Sequence, residues 1–110
     1  MFKFGDVVLV PFPFTDLTST KVRPALVISK NDTPGDDVVL AFISSRDNAP
    51  GLRITSDLDV FDQTGLKVTS VIRYDKIATL EKKLVLGELG YVPVEFLREH
   101  KQKFLDNFGF

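Results

Sequence analysis

The chain has no cysteine, which excludes disulfides, thiolate zinc sites and a cysteine nucleophile together. It has almost no net charge: 14 Lys and Arg stand against 15 Asp and Glu, for a formal charge of −1. No global field therefore draws it to nucleic acid, and any such binding must rest on a local patch. No apolar run approaches the roughly 20 residues that a membrane span needs. The start, Met1-Phe2-Lys3-Phe4-Gly5-Asp6, lacks the basic-then-apolar pattern of a secretory signal. The expectation is a soluble cytoplasmic protein. What is present is an ordinary globular mixture, 44% hydrophobic and 26% charged over 110 residues, which suits one domain spanning 1–110.

The first two thirds of the chain reads as strands. Asp6 to Phe12 is mostly β-branched residues, leucine and phenylalanine, with Gly5 before it. Pro13 to Lys21 is a polar loop. Pro24 to Ile28 is a second apolar strand, opening on a proline that lacks an N–H and so fits the first residue of a strand better than its middle. Asn31-Asp32-Thr33-Pro34-Gly35-Asp36 is dense turn chemistry, and Val38 to Ser44 returns antiparallel to the second strand. Leu52 to Thr55, Ser70 to Tyr74 and Leu84 to Leu89 are shorter strand candidates. Then the period changes. Val94, Leu97, Phe104, Leu105 and Phe108 fall at helical spacing, with Pro93 suited to the first helical position and Gly109 to the place just past the end. These elements predict a mainly β (α+β) fold, a small antiparallel barrel closed by a C-terminal helix.

Chemistry gathers at three strand ends. Arg23 precedes Pro24, which holds its backbone extended and places a five-donor guanidinium where a loop meets the sheet, a good position to grip phosphate. Ser44-Ser45-Arg46 ends the third strand in two hydroxyls and a guanidinium. In Val71-Ile72-Arg73-Tyr74-Asp75, alternation puts Arg73 and Asp75 on one face. That spacing fits proton transfer between neighbouring oxygens and equally fits a structural ion pair. His100 reads as a surface or half-buried helix residue. Asp57, Asp59 and Asp62 resemble a divalent-ion loop only superficially, because the glycine and closing glutamate of an EF-hand are absent. No metal or cofactor is expected.

Gly5-Asp6-Val7-Val8-Leu9-Val10, Arg23-Pro24-Ala25-Leu26-Val27, Ile43-Ser44-Ser45 and Ser70-Val71-Ile72-Arg73-Tyr74-Asp75 resemble, in order and spacing, the MazF/PemK family of bacterial toxin–antitoxin toxins. The resemblance runs through Leu86-Gly87-Glu88-Leu89 to the C-terminal helix. It implies an SH3-like barrel, a homodimer, a cognate antitoxin partner, and metal-independent endoribonuclease activity on single-stranded RNA such as mRNA. Cleavage in that family proceeds by attack of the 2′-hydroxyl on the adjacent phosphate, leaving a cyclic phosphate and a free 5′-hydroxyl. By the same resemblance Arg23 matches the catalytic arginine, Ser44 stands where a phosphate-binding threonine is usual, and Arg73 and Asp75 match a proposed acid/base pair. A guanidinium stays protonated, so both arginines are read as stabilisers of transition-state charge, and Asp75 as the group that takes the 2′-hydroxyl proton. RNA contacts are expected from Thr15, Lys21, Ser45, Arg46 and Tyr74, with Phe12, Phe14 and Phe61 as candidates to stack on bases. The chain departs from its relatives in the first loop, Phe14-Thr15-Asp16-Leu17-Thr18-Ser19-Thr20-Lys21, which has neither glutamate nor histidine; Asp16 is the substitute at hand. A catalytically inactive barrel that binds RNA or protein is the alternative.

Overall fold

The computed structural model describes residues 2–12, 21–31 and 34–110. Among them six strands form one sheet: β1 (Asp6–Phe12), β2 (Lys21–Val27), β3 (Asp37–Ser44), β4 (Leu52–Ile54), β5 (Ser70–Glu81) and β6 (Gly87–Tyr91), in the order β4-β5-β3-β2-β1-β6. Every pairing is antiparallel. The sheet curls into a small SH3-like barrel whose edges are β4 and β6. Three short helices accompany it: α1 (Phe61–Thr64), α2 (Val94–Glu99) and α3 (Lys101–Leu105).

Period-two alternation divides the apolar residues between the two faces of the sheet. Val8, Val10, Ala25, Val27, Leu40 and Phe42 pack in one cluster. Their strand neighbours Val7, Leu26, Ala41 and Ile43 pack in the other, with Ile72 and Tyr74 of β5. Phe61 of α1 and Leu97 of α2 close this second cluster. Leu97 is buried, and its burial contributes roughly 1.5–3 kcal/mol. That anchors a helix of six residues, too short to be stable alone.

The C-terminal helix is expected as one element from Val94 to Phe108, and the structure breaks it. His100 leaves helical geometry (φ −110°, ψ 20°) between α2 and α3. Its ring Nδ1 lies 2.8 Å from the Phe96 carbonyl oxygen, and the ring stacks on Phe96 at 4.3 Å. The Phe96 carbonyl also accepts the His100 backbone N–H at 3.2 Å, so the last helical bond of α2 is kept. β2 begins at Lys21, so Pro24 lies inside a strand rather than at its head. It is tolerated because β3 joins β2 only from Ala25 onward, leaving Lys21 to Pro24 an edge on that side. β5 runs to Glu81 rather than Tyr74, and β6 overlaps the expected Leu84–Leu89 strand from Gly87 to Leu89 and continues to Tyr91, after a single 3₁₀ turn at Lys82–Leu84.

Candidate active-site cleft

The strand register brings the three chemical strand ends to one face. Residues directly opposite in antiparallel strands point the same way. Arg23 opposes Val10, Ala25 opposes Phe42, Phe42 opposes Arg73, and Ser44 opposes Val71. Arg23, Phe42, Ser44 and Arg73 therefore share the face of the Val8–Leu40 cluster, just beyond where its apolar packing ends. Phe12 and Phe42, with ring centroids 4.4 Å apart, belong to the walls of the resulting cleft of about 670 Å³. Arg23, Ser44, Ser45, Arg46 and Arg73 all line it, Arg23 and Arg73 from within β2 and β5 rather than from strand ends. Ser44 Oγ accepts the Arg46 N–H at 3.1 Å, which tightens the turn leaving β3 and sets the direction of Arg46.

Two further cations line the same cleft, Lys67 from the segment between α1 and β5, and Lys76 from β5. Sequence reasoning did not single them out. Lys76 belongs to a bulge: Ala41 opposes Ile77 while Phe42 opposes Arg73, leaving Tyr74, Asp75 and Lys76 without partners on β3. Bulges of this kind bend a strand and re-aim its side chains. Five cationic side chains and no carboxylate thus line the cleft among the described residues, in a chain whose overall charge is −1.

Asp75 does not line the cleft but grips Arg73. Arg73 Nε donates to Asp75 Oδ1 at 2.9 Å and Nη2 donates to Oδ2, a bidentate pair. These bonds hold the Asp75 carboxyl below its usual range and raise the Arg73 guanidinium above its own. A carboxyl whose pKa is depressed by folding contributes stability above its unfolded pKa and loses it as pH falls through the lower folded value. The pair is therefore intact across the neutral range. With about a third of the Asp75 side chain exposed, its contribution to stability is small.

Tyr74 is a correction to the expected RNA contacts. Its side chain lies in the opposite cluster, 5% exposed, edge-to-face with Phe104 at 5.2 Å. Burial pushes its hydroxyl pKa up to about 12. The rule that turns Arg73 toward the cleft turns its neighbour into the core. Phe61, a stacking candidate, is likewise buried in that core. Lys21 opens β2 opposite Phe12 and is exposed, but it is not part of the cleft lining. Thr15, Phe14 and Asp16 lie outside the described residues. His100 is half-buried beside a second groove formed with Arg53 and Lys103, whose residues do not overlap the cleft lining. Asp57 accepts a hydrogen bond from Thr55. Among the described residues no group of three His, Cys, Asp or Glu gathers as metal ligands would, and no helix is long and apolar enough to cross a membrane.

The fold is that of known toxins. It matches the Mycobacterium tuberculosis toxin MazF-mt6 with a TM-score of 0.72, covering 94% of this chain and 95% of that one at 17% identity. It matches an endoribonuclease in complex with its cognate antitoxin from a mycobacterial species with a TM-score of 0.69, covering 97% and 94% at 21% identity. A MazE–MazF structure from Deinococcus radiodurans gives 0.67, covering 94% and 92% at 19% identity. No curated protein matches the sequence. Identities this low establish a shared architecture, whereas kinship rests on the sequence itself, which matches the family model of PemK-like, MazF-like toxins over residues 3–108. The chain belongs to the PemK-like, MazF-like toxin family of type II toxin–antitoxin systems.

Proposed function

We propose that this toxin is a metal-independent endoribonuclease that cleaves single-stranded RNA, mRNA included, through the substrate's own 2′-hydroxyl. The observation that carries the reading is the charge of the cleft: five cations and no carboxylate among its described lining residues, in a chain whose overall formal charge is −1. Such a lining suits a polyanion. The toxin is taken to work in the cytoplasm as a homodimer held in check by a cognate antitoxin, by analogy with its relatives.

Arg23 and Arg73 hold the scissile phosphate and offset the charge that grows on its oxygens as the 2′-oxygen adds. Ser44 orients the phosphate. In the free protein Asp75 is a weak base because Arg73 occupies both of its oxygens. A phosphate entering the cleft competes for the same guanidinium. As Arg73 turns its donors to phosphate, Asp75 regains basicity and takes the 2′-hydroxyl proton. The P–O2′ bond forms, the P–O5′ bond breaks, and the departing 5′-oxygen takes a proton from water. The products are a 2′,3′-cyclic phosphate and a 5′-hydroxyl.

This exchange has a pH signature. The acid limb of kcat/KM reports the free protein and that of kcat the substrate complex. The kcat/KM limb should lie below the ordinary aspartate value of about 3.9, and the kcat limb should lie higher. Coincident limbs, or an Asp75→Asn variant with wild-type kcat, would remove Asp75 from the proton transfer. The reading as a whole is tested by incubating the purified toxin with long RNA of mixed sequence and mapping new 5′ ends. Discrete new ends bearing 5′-hydroxyls are expected. Intact RNA that is nonetheless bound would favour the inactive RNA-binding barrel, a reading that the Arg73–Asp75 pair and the first loop without glutamate or histidine also suit.

A further inference from the structure

The segment between α1 and β5 is immobilised to a degree its length does not require. Thr64 is fully buried; its Oγ1 donates to the Phe61 carbonyl at 2.7 Å and accepts the Leu66 N–H at 3.1 Å. Gly65 follows with φ +74°, and a Cβ there would meet the Leu89 carbonyl oxygen at 2.2 Å. From the other side, a Cβ on Gly90 would meet the Gln63 carbonyl oxygen at 2.2 Å. The end of α1 and β6 are thus in backbone-to-backbone contact, which only glycine permits. At the far end, Thr69 Oγ1 accepts the Ser56 N–H at 2.9 Å and Ser70 Oγ donates to the Val68 carbonyl at 2.8 Å.

Between these ties Lys67 and Val68 are both exposed, Val68 by 54%, and both line the cleft. No carboxylate among the described residues pairs with Lys67, and Val68 presents an apolar surface to the same cleft. A cation beside an apolar surface on a rigid loop suits a nucleotide, whose phosphate is anionic and whose base has apolar faces.

We infer that the Lys67–Val68 loop is a preformed subsite for a nucleotide flanking the scissile bond, Lys67 binding that nucleotide's phosphate and Val68 packing against its base. The inference rests on the ribonuclease reading above. Lys67 is here a positioning residue, since it does not touch the reacting atoms. Its loss weakens binding of the substrate and of the transition state alike, which raises KM and leaves kcat in place.

The test uses a short RNA spanning a mapped cleavage site, with a 2′-deoxy nucleotide immediately 5′ to the scissile phosphate so that binding is read without turnover. Lys67→Ala should raise Kd by on the order of fivefold and reduce the slope of log K against log salt by about 0.7, the value for one phosphate contact on a single strand. On the all-ribose RNA, kcat should stay within about twofold while KM rises. Lys67→Arg should restore both Kd and slope. Lys83→Ala, which removes an exposed lysine paired with Glu81 away from the cleft, should change neither. A wild-type toxin that cleaves RNA, with Lys67→Ala keeping wild-type Kd and slope, overturns the subsite and leaves the ribonuclease standing. A raised Kd with an unaltered slope that Lys67→Arg does not rescue marks a distorted loop and overturns it too. A wild-type toxin that neither binds nor cleaves RNA takes both readings down.

Discussion

Arg23→Ala should slow RNA cleavage at saturating substrate by about a hundredfold to a thousandfold, the usual loss when one preorganised stabiliser of transition-state charge is removed, while the thermal unfolding of the protein stays where it was. The two halves of this expectation have separate grounds. Arg23 is exposed, and no carboxylate among the described residues forms an ion pair with it. Truncating it opens no core cavity, so the stability change should stay within about 0.5 kcal/mol. The rate falls because a phosphate under attack by the 2′-oxygen gains charge, and a guanidinium already in place meets that charge without solvent having to reorganise. Arg23→Lys should recover only part of the loss, since the charge returns but the bidentate fork does not. Ser44→Ala should cost less, because in the proposed mechanism Ser44 orients where Arg23 neutralises, and Ser44→Thr should retain activity. Steady-state cleavage and a circular-dichroism melt on each variant decide the matter. Wild-type rates for both Arg23→Ala and Ser44→Ala would make the cluster structural.

The parts of the site that sequence reveals are those governed by alternation and strand ends. Arg23, Ser44 and Arg73 each stand where an apolar run gives out, and the register sets them on one face. Tyr74 was legible by the same rule, since a residue next to an outward arginine in a strand points inward. Asp75 was harder, because the bulge that begins at Tyr74 depends on how β3 and β5 meet, and nothing local in the sequence encodes a slip between two distant strands. The same bulge hides the true length of β5, for Asp75 and Lys76 read as the end of a strand that in fact continues to Glu81. The place of Lys67 is not legible locally, because it follows from a contact between α1 and β6 that two glycines allow. Thr64-Gly65 is a visible helix stop, but nothing local marks Gly90 as the residue that lets β6 approach the end of α1. The single helix expected over Val94–Phe108 is interrupted at His100, whose backbone leaves helical geometry (φ −110°, ψ 20°), and nothing local in the apolar spacing marks that point.

A 2′-deoxy substitution immediately 5′ to the scissile phosphate should stop cleavage at that bond altogether, and cleavage of all-ribose RNA should continue in excess EDTA. Both follow from the donors the cleft presents. Guanidinium, ammonium and serine hydroxyl groups line it, and a divalent ion seeks carboxylates or imidazoles instead. Asp75, the nearby carboxylate, is committed to Arg73. Among its described lining residues the nucleophile candidates are serine hydroxyls, which need a neighbouring base to attack phosphorus, and the chain's one histidine lies beside a different groove. In the proposed mechanism the nucleophile comes with the substrate. RNA carries one in the 2′-hydroxyl, the group that separates it from DNA, already held next to the phosphorus it attacks and so spared the entropy of assembling two molecules. The protein has only to neutralise, orient and take a proton. The measurement is a time course on two matched oligonucleotides, one all-ribose and one with the single deoxy substitution, each with and without EDTA. Cleavage of the substituted strand at the same bond would require water or a protein group as nucleophile. Loss of cleavage in EDTA, restored by added magnesium, would place a metal ion in a cleft whose side chains are cations, and either result would overturn the mechanism.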